Sequence, residues 1–276
     1  MKKTNLTVII PVHSVESIGT QNFDDLFDVA LSSIDRNDVK PERVLIVTCN
    51  CLDVIAKMAS FDFKKYDLNI DVVTNDGDSD YQSQINFAAK EVTTEFMSVL
   101  EFDDEVSKTW YKNVNDYVKA YPDVDMFLPI INDVSEDNKF IGLSNEAVWA
   151  YNFSETLGSI DLETLLEYPN INPCGMVIKT SVYNEINGLK QIKLTFNYEF
   201  LLRFHKNGYK SMVIPKIGYK HVNMRDGSLF WLYKNSEAVE YKIDPKEALF
   251  WMESAKKEYM FNEDRHIIYE ENEVGE

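Results

Sequence analysis

From Leu6 to Ile131 the chain alternates short β-branched apolar runs with segments whose apolar residues recur every three to four positions. Few folds accept that alternation. Residues 6–12 and 44–48 are nearly apolar throughout, as strands covered on both faces must be, and residues 70–74 and 96–100 read as two further strands. Helical patterns stand between them. Residues 23–34 place Leu26, Phe27, Ala30, Leu31 and Ile34 on one face, and residues 82–92 turn Ile85, Ala88, Ala89 and Val92 inward. Ser107 is the expected cap of a helix carrying Trp110, Val114, Tyr117 and Val118, which stops before Pro122. A strand at 125–131 completes a β-α-β-α-β-α-β order, the pattern of a mostly parallel sheet with helices on both faces.

The second half is less regular. It reads as a helix at 162–168, a strand at 175–179, a short helix at 181–186 ended by Asn187 and Gly188, and a helix at 196–206. Asn207 and Gly208 close that last helix, and a strand end follows at 212–215. Asp244-Pro245-Lys246-Glu247 supplies a cap, a proline at the first helical position and a glutamate at the third, which predicts a C-terminal helix to about Met260 and an acidic tail beyond it.

Hydrophobic residues make up 45% of the 276, enough for a sizeable core. Lys and Arg number 28 against 46 Asp and Glu, a formal charge of -18 that disfavours nucleic acid and anionic membrane at long range. No apolar stretch reaches the length of a membrane span, and the apolar run near the start is interrupted by Pro11, so no secretory signal is expected. Cys49, Cys51 and Cys174 form an odd, sparse set, read as reduced thiols in a cytoplasm.

The densest chemistry lies where the strand at 96–100 runs directly into Glu101, Asp103, Asp104 and Glu105. Ligands of open α/β sheets bind just beyond the carboxyl ends of strands. Carboxylates this close repel one another unless a cation joins them, and hard oxygen ligands suit Mg2+ or Mn2+. Two readings stand at this point: a metal–diphosphate site, or a solvated acidic turn ahead of a helix N-terminus.

Several segments together resemble glycosyltransferase family 2, whose members have the GT-A fold. They are Val8-Ile9-Ile10-Pro11-Val12 with the helix ending Ala30-Leu31-Ser32-Ser33-Ile34, then Val44-Leu45-Ile46-Val47, Ser83-Gln84-Ile85-Asn86, Glu101-Phe102-Asp103-Asp104, Asn172-Pro173-Cys174-Gly175, Phe200-Leu201-Leu202-Arg203 and the segment 221–228. The set runs in the family's order over about residues 5–230. It implies a GT-A domain at 1–235, with a nucleotide-sugar-binding half at 1–105 and an acceptor half at 106–235, and leaves 236–276 as a helical extension and tail. It further implies a nucleotide-diphosphate sugar donor (a UDP-sugar is the first expectation), a Mn2+ or Mg2+ ion held by Glu101, Asp103, Asp104 and His221, and inverting transfer. Pro11, Val12, Cys49, Asp53, Asp76, Asn86 and Arg225 fall at positions that would meet the nucleotide. The acceptor hydroxyl would belong to a glycan, a protein or a hydroxymethylated nucleic-acid base.

Each assignment has a plainer alternative. His221 is also an ordinary structural histidine, Arg225 a loop arginine, Asp53 and Asp76 turn residues, and Trp149, Tyr151 and Phe153 core aromatics as readily as stacking platforms. Two departures bear on activity. Thr48-Cys49 stands where relatives carry aspartates that bond the base, and a thiol is a weak acceptor. The expected general base falls on Asn197, whose amide cannot take a proton; Glu199, about 200° around the helix from it, is the carboxylate nominated to serve in its place. These departures keep open a second class of function, a GT-A-like binding or assembly protein without catalysis.

Overall fold

The computed structural model describes residues 3–13, 23–193 and 195–223, together with Arg225, Ser228, Trp231, Asn235 and Glu253. The helix expected near 244–260 and the acidic tail lie outside the described residues apart from Glu253.

The opening half follows the expected alternation. Strand β1 (Lys3–Val12) is followed by α1 (Phe23–Asp35), β2 (Lys40–Cys49), α2 (Leu52–Ser60), β3 (Ile70–Asn75), α3 (Tyr81–Lys90), β4 (Phe96–Val99), β5 (Glu105–Val106) and α4 (Trp110–Ala120). The second half adds β6 (Met126–Val134), β7 (Phe140–Ser144), β8 (Ser159–Ile160), α5 (Leu162–Glu167), β9 (Val177–Lys179), α6 (Thr180–Glu185), α7 (Phe196–Lys206) and β10 (Ser211–Val222). All ten strands join one sheet, ordered β3-β2-β1-β4-β9-β6-β10-β5, with β7 beside β6 and β8 beside β10. β1 lies parallel to β2 and β4, and β10 parallel to β6, while β9 inserts antiparallel between β4 and β6.

The near-continuous apolar strands have a direct cause. Val8 and Ile10 face a cluster built with α1, α2 and α4, whereas Ile9 between them faces the opposite cluster with α3, α6 and α7. Both faces of β1 are dry, so neither set of alternating positions can be polar. Each fully buried Val, Ile or Leu contributes on the order of 1.5–3 kcal/mol relative to exposure.

Three differences from expectation matter for the site. The helix after the carboxylates starts at Trp110 with Thr109, not Ser107, as its cap residue. Helix α2 was not legible, because only Val54 and Met58 along it are buried. The strand expected to end at 215 continues to Val222: Pro215, which lacks an N–H, falls where the β10–β6 register shifts between Ile214 and Ile217, and the strand resumes pairing beyond it. That continuation carries Tyr219, Lys220 and His221 alongside β5, where Tyr219 pairs with Val106 and Lys220 with Glu105.

Gly175 fixes the loop beneath this crossing. Its φ is +72°, and a Cβ placed there would overlap the Tyr219 ring. Gly175→Ala therefore meets both a left-handed backbone and a clash, and is expected to lose more than about 1 kcal/mol of stability in urea denaturation.

Candidate functional site

Past β4, Leu100 still donates to Ile9 O, and the chain then turns so that the Asp104 N–H reaches Glu101 O at 3.2 Å. The turn delivers Glu101, Asp103 and Asp104 to the carboxyl end of the sheet, directly opposite the end of β10. Asp104 has no solvent exposure; its Oδ1 accepts from the Val222 N–H and its Oδ2 pairs with His221 Nδ1, both at 2.9 Å. Asp103 is 9% exposed and takes the Arg225 Nε donor at 2.5 Å. The Glu101 N–H donates to the Tyr219 hydroxyl at 3.3 Å, and Cys174 Sγ lies 3.9 Å from Glu101 Oε1. Just outside, Glu105 pairs with Arg36 and Lys220.

The structure thus gathers Glu101, Asp103, Asp104, His221 and Arg225 from two regions more than a hundred residues apart. Their ionisation reflects the crowding. Burial alone would discharge the His221 imidazole, but the Asp104 carboxylate overrides it and raises the group to about 10. Burial and the Asp104 charge push Asp103 up, against the pull of Arg225. Glu101 is raised to about 8 by desolvation, then by Asp104 and Asp103. Hard carboxylates with one imidazole are the right donors in kind for Mg2+ or Mn2+. Among the described residues, however, no three His, Cys, Asp or Glu side chains converge on a common point that would hold an ion. Asp103 and Asp104 are neutralised by protein cations instead.

Other expected residues do not join. Cys49 is fully buried in the α1/α2/α4 cluster beside Val54 and Met58, with its thiol pushed up to about 12 chiefly by burial, so it is a core residue. Asn86 spends its amide on the protein: Nδ2 donates to Leu189 O, and Oδ1 accepts from Tyr183 Oη and the Leu189 N–H. It anchors the turn at Gly188. Glu199 is 2% exposed and paired with Arg203 through both oxygens, at 2.8 and 2.9 Å, and with Lys190 at 3.1 Å. A carboxylate so enclosed is a structural ion-pair partner and is not placed to take an acceptor proton. Because α7 begins at Phe196, Asn197 and Glu199 do share one helix and face different ways. Asn197 stays partly exposed in its first turn. Pro11 and Val12 are buried at the end of β1; Asp53 is exposed in the first turn of α2, and Asp76 is exposed just past β3. Trp149 donates Nε1–H to Val213 O, and Phe153 packs edge-on to Tyr168, while Tyr151 is 91% exposed.

Sequence reasoning missed other neighbours of the carboxylates. Asp133 lies opposite His221 in the β6–β10 register and accepts a hydrogen bond from Ser144 Oγ at 2.5 Å. Tyr81, Tyr219 and Cys174 all have their ionisation pushed well above its usual range, by burial first and then by charges that include Glu101 and Asp104. Tyr81 lies just ahead of the helix read at 82–92 and has no role in that reading. The only signal for the others was their order along strands whose pairing the sequence does not state.

No protein-family model matches the chain. It is 22% identical over 204 residues to a teichoic acid poly(glycerol phosphate) polymerase of Staphylococcus epidermidis, covering 73% of this chain. The chain spans about a quarter (26%) of that relative's length. Among solved structures it is similar to residues 1–349 of S. aureus TarS in complex with UDP-GlcNAc, with a TM-score of 0.67 and 18% identity over 96% of this chain and 69% of that one. The same TarS segment in complex with UDP gives a TM-score of 0.59 at 16% identity, over 96% of this chain and 74% of that one. The fold is that of the GT-A-like glycosyltransferases.

Removing half of a buried ion pair costs about 3–5 kcal/mol. Glu199→Gln is accordingly expected to lower the unfolding free energy measured by urea denaturation by an amount in that range. If Glu199 were instead the proton acceptor of a reaction, the variant would hold its stability and lose turnover.

Proposed function

We propose that this domain transfers a sugar from a nucleoside diphosphate donor, UDP-sugars first, to an acceptor hydroxyl. The observation that carries the reading is the Asp103–Asp104 pair at the carboxyl end of β4, backed by Arg225 and His221, at the edge where α/β sheets hold their ligands. The shared fold with TarS, solved with UDP-GlcNAc and with UDP, supports it.

The chain's own groups supply most of the chemistry. The planar guanidinium of Arg225, already aligned on Asp103, suits two-pronged hydrogen bonding to a diphosphate. His221, held charged by Asp104, adds a second cation near the departing phosphates. To hold Mg2+ or Mn2+, Asp103 and Asp104 would have to release Arg225 and His221, and His221 would have to lose its proton before joining Glu101 as a ligand; a bound ion would then offset charge on the leaving diphosphate. The acceptor hydroxyl, on a glycan, a protein or a modified base, attacks the anomeric carbon opposite that diphosphate and inverts it; the bond to the diphosphate breaks and the hydroxyl proton passes to water or to the departing diphosphate. The charge of -18 favours the first two acceptors. Asn197 can orient the hydroxyl by hydrogen bonding but cannot take its proton. Three free cysteines are in keeping with a cytoplasmic place of action, and no helix among the described residues is long and apolar enough to cross a membrane.

One observation favours a second reading, a domain that binds the donor without transfer: the expected base is an amide, and the nearest carboxylate on its helix is locked in an ion pair.

Thermal stability with UDP, with and without Mn2+, tests both. A ligand at a hundred times its Kd adds about 2.7 kcal/mol. The expected result is a Mn2+-dependent gain that Asp103→Asn abolishes. An equal gain in EDTA would remove the metal and leave Arg225 and His221 as the charge partners, while no gain at all would overturn the transferase reading. Release of UDP from a UDP-sugar then separates transfer from binding alone.

A further inference from the structure

Three aromatic side chains from separate parts of the chain form a row. His13, just past β1, meets Tyr81 edge-on, with ring centroids 5.8 Å apart and planes at 88°. Tyr81, the first residue of α3, in turn meets Phe196, the first residue of α7, at 5.8 Å and 52°. All three keep part of their surface open to solvent, unlike the fully buried Trp110, Phe127 and Phe200 of the core. The Tyr81 hydroxyl can donate a hydrogen bond.

The middle of this row is a junction. On one side lies the end of β1; on the other lies the first turn of α7, which carries Asn197. The contact with Phe196 puts the Tyr81 ring beside the start of α7, where a hydroxyl near Asn197 would receive a sugar. A sugar ring has an apolar C–H face and a polar rim, and an aromatic ring with a hydroxyl at its edge matches both. We infer that Tyr81 is a specificity-determining residue: its ring packs against the transferred sugar and its hydroxyl donates a hydrogen bond to a sugar oxygen. His13 and Phe196 act through Tyr81, as positioning residues that hold its ring upright. This rests on the transferase reading above.

Affinities for UDP and for the tightest-binding of UDP-GlcNAc, UDP-glucose and UDP-galactose, measured by calorimetry with Mn2+ present, test the assignment. Tyr81→Ala is expected to weaken the UDP-sugar about tenfold and UDP less than twofold. Tyr81→Phe, which keeps the ring contacts with His13 and Phe196, is expected to weaken the UDP-sugar about threefold and leave UDP unchanged. If Tyr81→Ala does not fold, the Tyr81→Phe pair of affinities decides alone. Equal weakening of both ligands in a folded variant, or weakening of neither, overturns the assignment while the transferase reading stands. Failure of the parent protein to bind UDP overturns that reading, and this one with it.

Discussion

The carboxylate of Asp104 is the tie on which the site depends. A carboxylate with no solvent exposure is costly unless its oxygens are hydrogen-bonded and its charge is met. Both needs are met from one strand, by the Val222 N–H and the His221 ring. The end of β4 is therefore locked to the end of β10. The two-residue strand β5 and the register shift at Pro215 are what the backbone must do to bring those ends together. A substitution at Asp104 would strip the tie and a site residue at once. Asp103, held by a single side chain, is the cleaner position for separating chemistry from folding.

Local pattern carried far in this chain. The bounds of α7 coincide with those read from the sequence, because Tyr198, Leu201, Leu202 and His205 recur at helical spacing and the Asn207-Gly208 stop is unambiguous. Strands β5 and β8 were invisible, being two residues each, and β7 exposes Phe140, Ile141 and Leu143, so neither its alternation nor its burial announces a strand. At the site, Asp103 and Asp104 were legible because charge follows an apolar strand abruptly. His221 came from the resemblance alone, since its contact with Asp104 spans 117 residues. Cys49 is buried and Asn86 bonded to the protein in a way the motifs did not announce, because position along a motif fixes where a backbone runs, not where a side chain spends its polar atoms.

The charge balance shapes what such a site can recruit. A chain of formal charge -18 opposes the approach of a diphosphate at long range. Local cations must then do the attracting, and Arg225, His221, Lys220 and Arg36 stand around the acidic turn. In the structure Arg225 is paired with Asp103 and His221 with Asp104, while Lys220 and Arg36 share Glu105. The site is thus compact and internally neutralised, and an incoming anion competes with carboxylates already in place.

The path of β10 also bears on how the protein is made. Its pairing with β5 closes a loop of 115 residues between Lys220 and Glu105, and its pairing with β6 joins Ser211 to Met126. Such distant contacts are slow to form, because loop-closure entropy is lost before they are rewarded. During synthesis the acidic turn emerges well before its partners, and it stays mutually repelling until β10 arrives. Completion of the sheet and assembly of the site are consequently one late event, and a nascent chain ending before residue 211 holds the donors of the cluster without the strand that gathers them.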